Sequence, residues 1–194
     1  MFKHIGTWEW NVQTGEALVN ERWAQTIGYT LKELEPVNIE TLNKLTHPDD
    51  LVKLNELAQL HFEGRTDYYR FDFRIKHKDG SWVWVYDQGK VVEWTKDGKP
   101  LKMFGTHTDI TERKQAEESL IDSEERYRAL FEHAGDYIFV LKVPPDGIPI
   151  IIDANSSALK IHGYSKEELI GKPVSVIDKQ MDAEKAKKLI QNIS

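Results

Sequence analysis

The residues of this chain whose types and spacing could support chemistry are its histidines and the acidic side chains near them. His47 precedes Asp49 and Asp50, a set of nitrogen and oxygen donors that could bind a metal ion, and His61 could coordinate haem. Pro48 lies between them and suits the first position of a helix, where the helix dipole favours acidic residues. We therefore interpret His47, Asp49 and Asp50 as a helix start, predict no metal site, and place His61 beside the apolar face of that helix.

Composition excludes several other classes of chemistry. The 194 residues include no cysteine, which removes disulfides, thiolate metal sites, thioether haem attachment and cysteine nucleophiles. This is compatible with a reducing cytoplasm, where we expect the segment to reside. A net charge of −6 argues against binding to nucleic acid or to an anionic membrane. No apolar run approaches the ~18 residues of a membrane helix, so any membrane anchor of the parent protein would lie outside this segment.

The chain begins to repeat itself and then stops partway through the second copy. Asn20, Gly28 and Leu34 return as Asn155, Gly163 and Leu169, each 135 positions later. The same register places Leu189 opposite Leu54, and the neighbouring basic cluster Lys185, Lys187 and Lys188 is interpreted as a solvated helix face. Self-similarity over this distance indicates a modular array. We predict one complete domain over 1–110, a helical linker over 111–134, and over 135–194 a partial second domain that lacks its last three strands.

Apolar periodicity and turn signals predict the helices and strands that would position any functional site. Two short strands precede several short helices, for which Asn20 is the expected N-cap of the first and Thr30 to Glu33 a capping box for the next. A longer helix follows, whose apolar face comprises Leu51, Leu54, Ala58 and Phe62. Residues 69–76 alternate apolar and polar, and two further strands follow after glycine turns. The predicted fold class is therefore α+β.

The stretch from Trp82 to Val85 is apolar at every position, which predicts that both faces of the sheet are covered there. One face would meet the helices of the same domain. The outer face would meet the linker helix or a partner subunit.

The linker has the spacing of a weak dimer seam. Ala116, Leu120, Ser123, Tyr127, Leu130 and Ala134 are separated by alternating steps of four and three residues. Such a heptad pattern lets two helices pack together, although serine and alanine make the contact weak. At the start of this helix we expect Asp109 to cap the first turn and to pair with Arg113. We predict a homodimer formed through the linker helix and the outer sheet face.

Several motifs together resemble one family. Phe104-Gly105-Thr106 leads into Asp109-Ile110-Thr111-Glu112-Arg113-Lys114, and upstream lie Gly28-Tyr29-Thr30, His47-Pro48-Asp49-Asp50 and Lys78-Asp79-Gly80-Ser81-Trp82. Their order is similar to that of a PAS domain with its PAC extension, and residues 123–132 resemble the entry to a following PAS domain. The resemblance implies a five-stranded antiparallel sheet in the order 2-1-5-4-3 with helices on one face. It also implies a sensory role with signal relay through Asp109, Ile110, Thr111 and Arg113.

The resemblance further implies an effector on the C-terminal side, as in sensor histidine kinases, or in diguanylate cyclases and phosphodiesterases. His133 precedes Ala-Gly and His162 precedes Gly-Tyr, so neither has the sequence context of a phosphoacceptor. The chain also contains no cyclase signature and no phosphate-binding loop. We therefore expect a regulatory segment rather than an enzyme, since an enzyme would need a convergent set of catalytic groups that the helix caps do not already explain.

A cofactor-bearing redox or gas sensor is the alternative within signalling. Without cysteine, the covalent photoadduct of light-oxygen-voltage domains is excluded, while non-covalent flavin or haem stays open and no cofactor is predicted. A small-molecule pocket between sheet and helices is a second possibility, although we expect large aromatic side chains to fill this core. The candidate lining residues are Trp23, Ile27, Leu45, Leu54, Phe71, Phe73 and Trp84.

Overall fold

The structure is a computed structural model that describes residues 5–144, 148–178 and 185. It divides into two compact units, Met1–Glu118 and Ser119–Ser194. The expected positions of Lys187, Lys188 and Leu189 lie outside the described residues. Within the described residues, no helix is both long enough and apolar enough to cross a membrane.

The first unit contains a five-stranded antiparallel sheet in the order β2-β1-β5-β4-β3, which confirms the predicted topology. Its elements are β1 (Gly6–Asn11), β2 (Ala17–Val19), α1 (Glu21–Thr26), α2 (Leu31–Leu34), α3 (Ile39–Leu45), α4 (Pro48–Phe62), β3 (Tyr69–Lys76), β4 (Trp82–Trp94) and β5 (Pro100–Asp109). A long helix, α5 (Thr111–His133), follows β5.

The short helices begin where the sequence predicts. The side chain of Asn20 accepts a hydrogen bond from the Trp23 N–H and so caps α1. Gly28 ends this region with a φ of +78°, a conformation that glycine adopts without a steric penalty. The backbone N–H of Thr30 donates to the Glu33 carboxylate in the predicted capping box.

The core lies between the sheet and the helices because the strands alternate. Val83 and Val85 on β4 are buried on the same side as Phe73 and Ile75 on β3. The helices contribute buried side chains to the same cluster, including Trp23, Ile27 and Leu54. We call the opposite side of the sheet the outer face.

The second unit contains a two-stranded antiparallel sheet and short helices. Its elements are β6 (Phe139–Lys142), β7 (Ile150–Ala154), α6 (Ser156–His162), α7 (Lys166–Leu169) and a 3-10 turn (Val174–Val176). Asn155 caps α6 as Asn20 caps α1, so the repeat predicted from the sequence is also a structural one.

The structural repeat extends upstream into the strands with a different offset. The Asn20 N–H donates to the Thr7 carbonyl, and the Asn155 N–H donates to the Ile138 carbonyl. Ile138 follows Thr7 by 131 positions, whereas Asn155 follows Asn20 by 135. The difference of four residues therefore falls between these paired positions, one residue of it at a register shift within the β6–β7 pair, which hides this part of the repeat in the sequence.

Candidate functional site

The first unit contains a cavity of about 60 Å³ between the sheet and helices α1, α3 and α4. Eight of the residues that line it carry polar side-chain atoms: Trp8, Glu9, Trp10, Trp23, Asn38, Tyr69, Asp87 and His107. Drug-sized ligands usually occupy pockets of about 300–1,000 Å³. Side chains around this cavity would therefore have to move apart to admit a flavin or a haem.

A buried polar pair forms one wall of the cavity. Asp87 on β4 and His107 on β5 are 4% and 3% exposed, and His107 Nε2 lies 3.3 Å from Asp87 Oδ1. The indole Nε1 of Trp8 donates to the same carboxylate oxygen at 2.8 Å. Trp23 stacks on the His107 ring with centroids 5.4 Å apart, and Phe73 meets that ring edge-on. Buried polar groups of this kind persist only when they are paired, so each of these two side chains needs the other in the folded protein.

Two paired glycines make room for the Trp8 ring. Gly89 on β4 lies opposite Gly105 on β5, and the Trp8 indole lies across both. A Cβ atom at Gly89 would lie 2.5 Å from the ring, and one at Gly105 would overlap both the ring and the Gln88 carbonyl. These positions therefore have no space for a side chain, and Trp8 reaches Asp87 only because they are glycines.

The structure places two of the seven predicted lining residues, Trp23 and Leu54, at the cavity. Ile27 and Phe73 are buried in the surrounding core, where Leu45 and Phe71 are partly buried.

The prediction for Trp84 is wrong. Since Val83 and Val85 point inward, Trp84 lies on the outer face, with the Arg74 guanidinium 5.3 Å and the Lys114 ammonium 5.2 Å from its ring.

Sequence reasoning missed Asp87 and His107, although a signal was present. Positions 83, 85, 87, 89 and 91 of β4 alternate onto the inner face, and Asp87 is the charged residue in that series. His107 falls in the inward series of β5 with Met103 and Gly105. An ionisable residue at an inward position of a strand needs a partner, which is the expectation that would have identified the pair.

The histidines considered as metal or haem ligands have other roles. His61 is buried, with Nδ1 2.8 Å from the Thr66 carbonyl and Nε2 accepting from the Val91 N–H at 3.0 Å. Both of its ring nitrogens are therefore already engaged. His47 caps α4 through the Asp49 N–H, as the interpretation of a helix start predicts.

Asp50 connects the start of α4 to the sheet. Its carboxylate accepts two hydrogen bonds from the Arg74 guanidinium and one from the Arg74 N–H. Burial alone would raise the pKa of Asp50, but the hydrogen bonds and charge of Arg74 outweigh it and leave this pKa below its usual value. Among the described residues, no group of acidic and histidine side chains is arranged to hold a metal ion.

The junction between β5 and α5 is bonded to the middle of the sheet. The Ile110 N–H donates to the Trp84 carbonyl at 2.9 Å, and the Trp84 N–H donates to the Thr111 hydroxyl at 3.0 Å. Asp109 accepts from the Thr111 N–H at 2.9 Å, so the predicted cap is present. The N–H and the carbonyl of Trp84 on β4 are therefore both hydrogen-bonded to residues at the start of α5, Thr111 and Ile110.

The predicted pairing of Asp109 with Arg113 is wrong. Arg113 instead donates to Asp72 on β3 at 3.0 Å, and Lys114 contacts the same Asp72 oxygen at 3.0 Å. The Asp109 carboxylate accepts from the Thr111 N–H, while the Arg113 side chain extends across the outer face. The first turn of α5 thus contacts β3 and β4 as well as β5.

We expect Asp109→Ala to lower the free energy of unfolding of the first unit by about 0.5–2 kcal/mol, because the Thr111 N–H loses its acceptor. Thermal and urea unfolding would measure this change. Asp122→Ala is the matched control, since Asp122 is exposed within α5 and alanine favours helix there. Equal stabilities for the Asp109 variant and the parent would contradict the capping role.

The other end of α5 is bonded to the second unit in a similar way. The Asn155 amide group donates to the Phe131 carbonyl at 2.9 Å and to the Asp136 carbonyl at 3.0 Å, while its oxygen accepts from Ile138 and Ala158. The Glu132 carboxylate accepts from the Ser156 hydroxyl and N–H, and these hydrogen bonds lower the pKa of Glu132. Asn155 thus satisfies a carbonyl in the last turn of α5 as well as the start of α6.

Comparison with known proteins identifies the fold and both units. The profile of the PAS fold matches residues 16–107, and that of the PAS domain matches residues 125–192. The solved sensory box histidine kinase/response regulator from Burkholderia thailandensis is 31% identical, with a TM-score of 0.57, and the match covers 66% of this chain and 92% of that one. The chain belongs to the PAS domain family. Its two units are PAS modules, and the described residues of the second comprise two strands and short helices.

Two relatives of this PAS chain are signalling proteins. The two-component sensor PprA of Pseudomonas aeruginosa is 33% identical over 104 residues, 52% of this chain and 10% of that protein. The probable diguanylate cyclase DgcE of Escherichia coli is 24% identical over 176 residues, 89% of this chain and 15% of that protein. The chain therefore spans only about a tenth to a seventh of the length of these relatives. It is a PAS sensory module of the kind found in histidine kinases and diguanylate cyclases.

Proposed function

We propose that this chain is the non-catalytic regulatory part of a larger cytoplasmic or membrane-anchored sensor histidine kinase, with a diguanylate cyclase or phosphodiesterase as the alternative effector. The first PAS unit would set the state of α5, and α5 would pass that state toward an effector on the C-terminal side. The kind of effector and the cytoplasmic position of this segment are inferences from the relatives and from composition.

The observation that carries this proposal is that the cavity and the linker helix share two strands. His107 lies two residues before Asp109 on β5, and Asp87 lies three residues after Trp84 on β4. A change in spacing at the buried Asp87–His107 pair would shift both strands together, because packed interiors transmit displacement. Trp84 and Asp109 hold the start of α5, so the helix would move with them.

The second part of the proposal is a homodimer through α5 and the outer face. Leu120, Tyr127 and Leu130 on the predicted seam are 68%, 48% and 71% exposed in the single chain. Phe104 adds an exposed aromatic side chain on the outer face, opposite Lys90 of β4. Apolar side chains that recur at heptad spacing on one helix are expected to be covered by a second copy.

We expect the double variant Leu120→Asp and Leu130→Asp to weaken the dimer by about 100-fold or more, because two like charges per helix would face each other across an apolar seam. Sedimentation over a micromolar concentration series would measure the association. The matched control is Gln115→Asp with Ala129→Asp, which adds the same charges at exposed positions of α5 away from the seam. A seam variant that dimerises as well as this control would refute the proposed interface.

A further inference from the structure

Five side chains form one row across the outer face of the first unit. Strand pairing sets Leu18 of β2 beside Glu9 of β1, and Glu9 beside Phe104 of β5. Lys90 of β4 lies on the other side of Phe104, and its ammonium group is 5.3 Å from the ring of Tyr68, the residue before β3. We call these five residues the outer row.

The apolar members of the outer row lack cover in the single chain. Leu18, Phe104 and Tyr68 are 69%, 43% and 43% exposed. The start of α5 is bonded to Trp84, which precedes Lys90 by six residues, roughly 20 Å along β4, so the first turn of α5 leaves the row open. Exposed apolar side chains aligned across a sheet are typical of a surface that another molecule covers.

The two charged members of the outer row lie on opposite sides of Phe104. Glu9 flanks it on β1 and Lys90 flanks it on β4. Glu9 forms an ion pair with Lys102 at 3.0 Å, whereas Lys90 has no ion pair with a carboxylate in the described part of the chain. The order from β2 to β3 is therefore apolar, acidic, aromatic, basic and aromatic. When the row is reversed and laid over itself, acid meets base and apolar groups meet apolar groups.

This order is self-complementary for one orientation of a two-fold axis. Homodimers most often form about such an axis, and the same surface of each copy then faces the other. With the axis along β5 through Phe104, Glu9 faces Lys90 of the second copy, and Leu18 faces Tyr68. With the axis across the strands, Glu9 would face Glu9 and Lys90 would face Lys90, so both contacts would be repulsive.

The positions next to the outer row are compatible with the axis along β5. Thr7, Thr106 and Gln88 lie side by side on β1, β5 and β4, and none of them carries a charge. Thr7 would face Gln88 of the second copy, and both side chains can donate and accept hydrogen bonds. Lys102 would face its own counterpart, but carboxylates of the same chain at 3.0 and 3.9 Å offset its charge.

We propose that the outer rows of two copies of this chain pack against each other about a two-fold axis parallel to β5. Two Glu9–Lys90 contacts between the copies fix this orientation, and Phe104 lies at the centre. This inference rests on the proposed homodimer and names the contact that its outer face makes. The outer row and the α5 seam are separate surfaces, so each can be altered while the other is kept.

Complementary charge reversals test the proposed contact. Glu9→Lys should weaken self-association at least about tenfold, because two lysines of each copy then face two lysines of the other, and Lys90→Glu should do the same with glutamates. An equimolar mixture of the two variants should associate within about threefold of the parent, since every contact then joins a lysine to a glutamate. Sedimentation over a micromolar concentration series measures each variant and the mixture. Recovery in the mixture also shows that both variants are folded.

Glu63→Lys and Lys53→Glu are the matched controls, because they make the same charge changes at exposed positions in and next to α4, on the helix side of the sheet. Alone or mixed, they should change association by less than about twofold. Outer-row variants that associate as well as the parent, or a mixture that associates no better than either variant, would overturn the sheet contact. If Leu120→Asp with Leu130→Asp still abolishes association in that case, the homodimer through α5 stands and only the sheet contact fails.

Discussion

Replacing Asn155 by alanine is expected to lower the free energy of unfolding of the second PAS unit by about 3–5 kcal/mol, through a lost helix cap and several buried groups left without partners. Asn155 is completely buried. Its side chain makes four hydrogen bonds, two as an acceptor and two as a donor. The groups that surround Asn155 are backbone N–H and carbonyl groups, and the methyl group of alanine can form a hydrogen bond with none of them.

Hydrogen exchange is the measurement that localises this effect. The amides of Ile138 and Ala158, which donate to the Asn155 oxygen, should lose protection, while that of Phe73 in the first unit should not change. Asn155→Asp is the comparison variant: it preserves the acceptor for Ile138 and Ala158, but it places a carboxylate oxygen against the Phe131 and Asp136 carbonyls and should also destabilise the unit. Protection at Ile138 and Ala158 that survives the alanine change would show that Asn155 is no more than a local cap.

The sequence predicted the roles that depend on neighbouring residues. Asn20 and Thr30 at helix starts and Pro48 in the first turn of α4 were predicted from caps and spacing, and the structure confirms them. These motifs work through hydrogen bonds and dipoles within one turn of helix. The strand order came from the family resemblance and not from periodicity, which does not specify how five strands are arranged.

The predictions that failed depend on residues distant in sequence. Arg113 has a suitable partner four residues away, yet it bonds to Asp72, 41 positions earlier, because the sheet brings that carboxylate to the helix start. Asn155 was predictable as a cap, whereas its bond to the Phe131 carbonyl requires the second unit to fold around the end of α5. Neither partner is indicated by local periodicity.

The Trp84 prediction had a different cause. A tryptophan between two valines was assigned to the core on hydrophobicity, but alternation permits only one of the two sets to face inward. Val83 and Val85 are buried there, and the same alternation carries Asp87 inward. Following the inward series of β4 to its end would have corrected Trp84 and identified Asp87 together.

Inserting one residue between Ser119 and Leu120 is expected to change the output of the full-length protein strongly, whereas inserting seven should nearly restore it. One residue turns the following part of α5 by about 100°, while seven turn it through almost two complete revolutions. The part of α5 that follows the insertion would therefore be rotated relative to its first turn by one residue and returned to within about 20° by seven.

The two insertions separate a helical relay from a flexible tether. If α5 only kept two domains close together, each insertion would act by lengthening the linker. Seven inserted residues would then disturb output more than one. If α5 passes on a rotation, the order reverses, because the one-residue insertion turns Leu120 and Leu130 together away from the line set by Ala116, and the seven-residue insertion keeps the heptad. Effector activity and the sedimentation profile of both variants would be measured side by side. Equal loss of output in both, with the dimer intact, would mean that the state of the first unit reaches the effector by a route other than α5.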